Sequence, residues 1–218
     1  RDRYRIGDER IAVAGFTNLT RDHLDYHGTM ENYFQAKRRV FTMCKTAVIN
    51  IDDKYGKRLA QEFSDIAVTY SAEGNADYHA EFIRMNATGC SYMLVNEREK
   101  TACRVDMNMT GLYNVQNSLC AIAMVTALGF DMTECAKALS DLDGVDGRMN
   151  VVYRGDFTVI TDYAHTDDAL IKVLSTLKPL TKGRLICVFG AAGDRDKEKR
   201  PMMAKAAEDN TCLLYTSP

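Results

Sequence analysis

The chain has 218 residues, 46% of them hydrophobic, enough to build one large domain or two small ones around a real core. Lys and Arg number 28 against 30 Asp and Glu; the formal charge of -2 offers no basic field for nucleic acid or an anionic membrane, and a small-molecule partner is expected. The 7 cysteines are scattered without a C-x-x-C pair, which argues against a disulfide framework or zinc knuckle and fits a reducing cytoplasm.

The first ten residues, RDRYRIGDER, carry no apolar signal core, and no run approaches the roughly 18 apolar residues of a membrane span. The sequence starts at Arg1 without a Met and leads straight into IAVAGF, so a piece of a longer protein is expected. IAVAGFTN reads as a buried strand ending in a polar loop, a helix is predicted around Tyr33 to Phe41, and TAVINIDD reads as a second strand closed by acids. From about Ile66 to Met109 the short alternating runs IAVTYS, YHAEFIRM, SYMLVNE and TACRVDMN predict a small antiparallel sheet inserted on an α/β core. GLYNVQNSLCAIAMVTALGF predicts a helix closed by Gly129, and MTECAKALSDLDG another closed by Gly144. FTVIT then predicts a strand, TDDALIKVLSTLK a helix, RLICVF a strand and KEKRPMMAKAAED a last helix. This alternation predicts an α/β fold with a mostly parallel sheet wrapped by helices on both faces, one domain over residues 1–210, with residues 211–218 left unassigned. In such sheets ligands sit beyond the carboxyl ends of the strands, where TNLTRDH, DYAH and GAAGDRD stand.

Lys37 raises the sharpest chemical question, because it falls on the apolar stripe of its helix, three and four positions from Phe34, Tyr33 and Phe41. A lysine so placed usually snorkels. Alternatively, partial burial lowers its pKa, and the neutral amine takes up carbon dioxide to become a carbamate with two oxygens for a divalent cation. His23 and His27 bracket LDY at i, i+4 but do not match H-E-x-x-H, and Gly28 marks the segment as a loop. With Asp22 and Asp25 close in sequence, these histidines read either as hydrogen-bonded scaffolding or as part of an oxygen-rich magnesium site with one imidazole. Asn114 and Asn117 stand at i, i+3 where a helix starts; capping explains one of them, and an amide pair reading a base or ribose edge would explain both. Asp162 and His165 lie at a strand-to-helix crossing, whereas Asp167 and Asp168 are first-turn residues favoured by the helix dipole. VFGAAGDRDKEKRP joins strand to helix through two glycines but lacks the G-x-x-x-x-G-K-[ST] pattern, which occurs nowhere in the chain, so it is weak evidence of phosphate binding.

Four motifs run across almost the whole chain in one family's order: FTNLTRDHLDYHGTMENYFQAKRRVF, GLYNVQNSLCAIA, GVDGRMNVV leading to FTVITDYAHTDDAL, and GRLICVFGAAGDRDKEKRPMM. Together they resemble the central ATP-binding domain of the Mur ligases, and DYAHT followed by GDRD resembles the MurE-type branch. The resemblance implies an ATP-dependent ligase of peptidoglycan synthesis that adds a diamino acid to UDP-MurNAc-L-Ala-D-Glu through an acyl phosphate. It implies ATP and Mg2+ as cofactors, with Lys37 as a carbamate and His23 as metal ligands and catalytic groups. Asn114, Asn117, Arg148, Asp162 and His165 are then expected to bind the nucleotide, and Arg5 and Arg3 the substrate. A cytoplasmic monomer is expected, working on the UDP-MurNAc dipeptide and the diamino acid without nucleic acid or membrane.

Asp146 and Asp167 stand where the family usually has proline, changes expected to loosen turns rather than remove ligands. The family's phosphate-binding glycine loop and UDP-binding domain are expected before Arg1, and the domain that selects meso-diaminopimelate or lysine after Pro218, so this piece alone is expected to be inactive. Three other readings stay open: the ligase half of cyanophycin synthetase, a nucleotide- or metal-binding module without turnover, and a metal-dependent hydrolase using His23, His27 and a carboxylate.

Overall fold

A computed structural model describes residues 11–21, 24–86, 89–142, 144–190 and 199–216. The described residues fall into two compact units. One holds those up to Ile83 together with Tyr92–Val105 and Val115–Leu139; the other holds Arg84–Ser91, Asp106–Asn114 and those from Ser140 onward.

The principal sheet has six strands in chain order: β1 (Ile11–Phe16), β2 (Cys44–Asn50), β3 (Ala67–Ser71), β4 (Tyr78–Asn86), β5 (Gly89–Asn96) and β6 (Thr101–Met107). β1, β2, β3 and β4 pair in parallel, with Val13 opposite Thr46, Val48 opposite Val68 and Tyr70 opposite Tyr78. The α/β class expected from the sequence is therefore present. The stretch from Ile66 to Met109, expected to form a sheet of its own, instead continues this sheet outward from β2. Alternation announces a strand without saying which edge it joins.

Helices α1 (Leu24–His27), α2 (Met30–Arg38), α3 (Lys54–Glu62), α4 (Leu112–Thr126) and α5 (Met132–Ser140) accompany these strands. The period of two along β1 divides its neighbours. Ala14 and Phe16 enter a core with Leu19, Phe34, Phe41, Ala47, Ile49, Leu59 and Ala67, built from β1, β2, α2 and α3. Gly15 turns the other way: a Cβ there would lie 2.6 Å from Met124 Sδ and 3.0 Å from Cys120 Sγ, so α4 closes on the opposite face because that side chain is missing. Helices thus cover both faces. Phe34, Phe41, Ile49 and Leu59 are fully buried, and each contributes about 1.5–3 kcal/mol of transfer free energy.

Two charged clamps tie α2 to α3. Arg58 donates to both carboxylate oxygens of Glu31, at 2.7 and 2.9 Å, with its guanidinium 4.3 Å from the centre of the Phe34 ring. Arg38 pairs with Glu62. These exposed pairs link the two helices but contribute little energy.

The second unit contains the antiparallel pair β7 (Asn150–Arg154) and β8 (Thr158–Thr161), and the parallel pair β9 (Ile186–Phe189) and β10 (Leu213–Thr216). Helices α6 (Asp167–Leu177) and α7 (Lys199–Asn210) bury Leu170, Leu174, Met203, Ala206 and Ala207 with Cys187 of β9. The small antiparallel sheet is this β7–β8 pair, whose first strand sequence reading did not identify. β10 occupies the segment left unassigned, in register with β9 from Leu213 opposite Ile186 to Thr216 opposite Phe189.

Candidate functional site

The loop after β1, expected to carry ligands, is tied down by the polar end of β2. Asn50 donates through Nδ2 to the Thr17 carbonyl at 2.8 Å and accepts from the Asp52 N–H at 2.9 Å. Asp53 caps α3 by accepting from the N–H groups of Tyr55 (2.8 Å) and Gly56 (3.1 Å), while its other oxygen accepts from the Leu19 N–H at 3.1 Å. Asp52 accepts from Ser71 Oγ, from the Ala72 N–H at 2.9 Å and from Gln116 Nε2 at 3.0 Å. Sequence reading took these acids only as the end of a strand. The available signal was an acid immediately before a helix at the carboxyl edge of a parallel strand, where caps and ligand loops meet.

Lys37 stands on α2, whose first turn is capped by Thr29 Oγ1 accepting from the Asn32 N–H at 3.1 Å. It is half-buried, with its nitrogen 5.3 Å from the centre of the Tyr33 ring. Burial pushes its pKa down, and no carboxylate pairs with it among the described residues. Next to it, the His27 ring stacks on Tyr33 at 4.6 Å and 17°. The LDYH segment, expected to be a loop, is the single helical turn α1, closed by Gly28 at φ +73 with the Gly28 N–H donating to the Leu24 carbonyl at 2.8 Å. A glycine in the left-handed region ends a turn of helix as readily as it forms a loop, which is why the two were not distinguished. Among the described residues no three His, Cys, Asp or Glu side chains converge as a metal cage. His23, Asp22, Arg3, Arg5 and most of the GAAGDRD loop lie outside the described residues, as does the side chain of Asp25.

A second cluster forms in the other unit. The Arg148 N–H donates to the Val145 carbonyl at 2.9 Å, and Met149 follows, buried and with φ at +49. A non-glycine residue in that region costs about 1–2 kcal/mol and persists only where its surroundings hold it. Asp162 does the holding: one oxygen accepts from the Met149 N–H at 2.9 Å and the other from the Ala164 N–H at 2.8 Å. The Arg148 guanidinium lies 5.6 Å from the centre of the Tyr163 ring, and the Tyr163 N–H donates to the Gly147 carbonyl at 2.7 Å. His165 is exposed, its Nδ1 2.9 Å from the Tyr163 carbonyl. The next residue, Thr166, caps α6 by accepting from the Ala169 N–H at 3.1 Å. Arg148, Asp162 and His165 thus stand on one turn-and-strand-end segment, each tied to its local backbone or to Tyr163.

The two asparagines fare differently. Asn114 is buried and spends its Nδ2 on the Thr110 carbonyl at 2.8 Å, a local role, whereas Asn117 is exposed on α4. Tyr113, which sequence reading passed over, keeps a buried hydroxyl with no hydrogen-bond partner among the described residues. Asp146 accepts from Asn150 Nδ2 at 3.3 Å, and Asp167 opens α6 directly after its cap.

The Mur ligase middle domain family matches residues 2–125, and the Mur ligase, glutamate ligase domain family matches residues 147–214. The UDP-N-acetylmuramoyl-L-alanyl-D-glutamate--2,6-diaminopimelate ligase of Clostridium botulinum is 41% identical over 208 residues, covering 94% of this chain and 43% of the relative. The enzyme of that name from Fusobacterium nucleatum is 44% identical over 213 residues, covering 94% and 42%. A solved structure of a UDP-N-acetylmuramoyl-L-alanyl-D-glutamate--2,6-diaminopimelate ligase superposes with a TM-score of 0.70 at 37% identity, covering 95% of this chain and 44% of that one. The chain thus spans less than half the length of the curated relatives it matches.

Proposed function

The chain belongs to the Mur ligase family, and from that premise we propose that it is the metal- and nucleotide-handling part of an ATP-dependent ligase of peptidoglycan synthesis. The substrates are UDP-N-acetylmuramoyl-L-alanyl-D-glutamate and a diamino acid, and the relatives' names point to 2,6-diaminopimelate. In this reading the terminal D-glutamyl carboxylate attacks the γ-phosphorus of ATP and ADP leaves. The amine then attacks the acyl carbon, a C–N bond forms, inorganic phosphate departs with the former acyl oxygen, and the amine loses its proton. The enzyme works in the cytoplasm as a monomer.

Lys37 carries the proposal. Its half-burial beside Tyr33 and Phe34, without a carboxylate partner among the described residues, favours the neutral amine. Only the neutral amine can add to carbon dioxide, and the product supplies two oxygens where the sequence encodes none. The fit is chemical: a hard cation takes oxygen ligands, the carbamate of Lys37 would offer them, and His23 would offer an imidazole. Magnesium, when bound, offsets the charge that gathers between triphosphate and carboxylate. In the other unit the nucleotide is bound by Arg148, with Asp162 setting the backbone of its turn and His165 alongside. Asn117, exposed on α4, and Asn114 complete the expected nucleotide set, and Arg5 and Arg3 bind substrate. A hydrolase built on His27 has less support, since that ring is stacked on Tyr33.

Replacing Lys37 with Ala in the intact ligase tests the proposal. It should abolish ATP-dependent amide formation, with added bicarbonate giving no rescue; full activity in Lys37→Ala rejects the reading.

A further inference from the structure

Asp52 and Asp53 follow one another at the carboxyl end of β2, yet they hold different parts of the chain. Asp53 caps α3 and anchors Leu19. Both oxygens of Asp52 are engaged: one accepts from Ser71 Oγ, the other from the Ala72 N–H at 2.9 Å and from Gln116 Nε2 at 3.0 Å. The Gln116 bond spans 64 residues of sequence and fastens the start of α4 to the carboxyl edge of the sheet. Two residues on, the buried Ser118 gives its one hydroxyl hydrogen to the Val115 carbonyl at 2.8 Å, so the Tyr92 hydroxyl of β5 donates to Ser118 Oγ at 2.8 Å. Successive side chains leave a helix about 100° apart, and Asn117 therefore points between these two anchored neighbours. It is exposed, while Gln116 is half-buried and Ser118 buried. All of these residues lie in one compact unit.

We infer that Asp52 is a positioning residue for the nucleotide: through Gln116, and opposite the Ser118 and Tyr92 bond, it sets the rotation of α4 at which Asn117 meets its ligand. Asp52 acts through Gln116 rather than as a ligand itself, since both its oxygens are engaged within the chain. A bond from an amide to a carboxylate is charge-assisted and directional, a restraint that an apolar side chain at residue 116 would not provide. Holding one binding group in place before the ligand arrives lowers the ordering cost of binding. This inference rests on the nucleotide role proposed for Asn117.

The test is Gln116→Leu and Asp52→Asn in the intact ligase, with Asn117→Ala measured beside them and Gln116→Leu repeated in the Asn117→Ala background. Each of the first two should raise KM for ATP about 5- to 20-fold, with kcat within about twofold and the magnesium requirement and the KM values of the dipeptide and the amine unchanged. In the Asn117→Ala background Gln116→Leu should add less than about twofold, because the group it positions is gone. A lowered Tm with unchanged KM for ATP shows a bond of structural value only and overturns the inference. The same rise in KM with and without Asn117 overturns it as well, and so does a raised magnesium requirement in Asp52→Asn alone, which would make Asp52 a metal ligand. If Asn117→Ala leaves KM for ATP unchanged, the nucleotide role of Asn117 fails. If Asn117→Ala raises it and Gln116→Leu does not, the failure belongs to the positioning role alone.

Discussion

Asp162→Asn changes one atom of the second cluster and separates a ligand from a brace. Both carboxylate oxygens accept backbone N–H groups, from Met149 at 2.9 Å and Ala164 at 2.8 Å. An asparagine keeps one oxygen and must turn its NH2 toward the other N–H, so one charge-assisted bond worth about 1.5–3 kcal/mol is lost and the second falls to a neutral bond worth about 1 kcal/mol. Release of Met149 from its left-handed backbone, φ +49, returns about 1 kcal/mol. The net cost is about 1–4 kcal/mol, and for a chain of this length each kcal/mol moves Tm by about 2–4 °C. Thermal unfolding followed by circular dichroism should show the loss, and hydrogen exchange should show it locally as a much faster Met149 amide. An unchanged midpoint with an equally protected Met149 amide would refute the reasoning and leave Asp162 as a ligand only.

Other perturbations probe the remaining contacts. Asp53→Ala strips the cap of α3 and the anchor of Leu19 together, a loss of about 2 kcal/mol, and increased proteolysis at residues 17–20 would report the freed loop. Gly56→Ala forces a Cβ into the Asn50 carbonyl, a backbone atom that cannot swing aside, and should destabilise by about 2 kcal/mol or more; a urea midpoint equal to that of the parent chain would contradict it. Because burial depresses the folded pKa of Lys37, its charge penalty is fully present below that pKa and is relieved as pH rises toward the ordinary 10.5. The parent chain should therefore gain stability relative to Lys37→Met as pH climbs in that direction, and a pH-independent difference would argue against burial of the ammonium.

Much of this was legible along the chain because it is local. Gly129 stops a helix through its own backbone freedom, at φ +96, and Lys37 stands on α2 half-buried beside Phe34 as its spacing predicts. What escaped depends on partners distant in sequence. Ile66 to Met109 reads as alternating strands whichever sheet they join, and only the pairing of Val68 with Val48 places β3 beside β2. Asp53 looks like any helix cap until Leu19, far earlier in the chain, donates to it. Tyr113 looks like a half-buried aromatic, since a hydroxyl with no partner among the described residues leaves no mark in a pattern of apolar spacing. The strand Asn150–Arg154 has only half-buried and exposed residues, so its hydrophobic signal is weak.

The central claim is that the Lys37 amine carries carbon dioxide. Carbon-13 NMR of the protein equilibrated with labelled bicarbonate and magnesium addresses it directly: the account predicts a carbamate carbonyl resonance in the parent chain that disappears in Lys37→Met. The absence of that resonance in the folded parent protein, or its persistence in Lys37→Met, would contradict it.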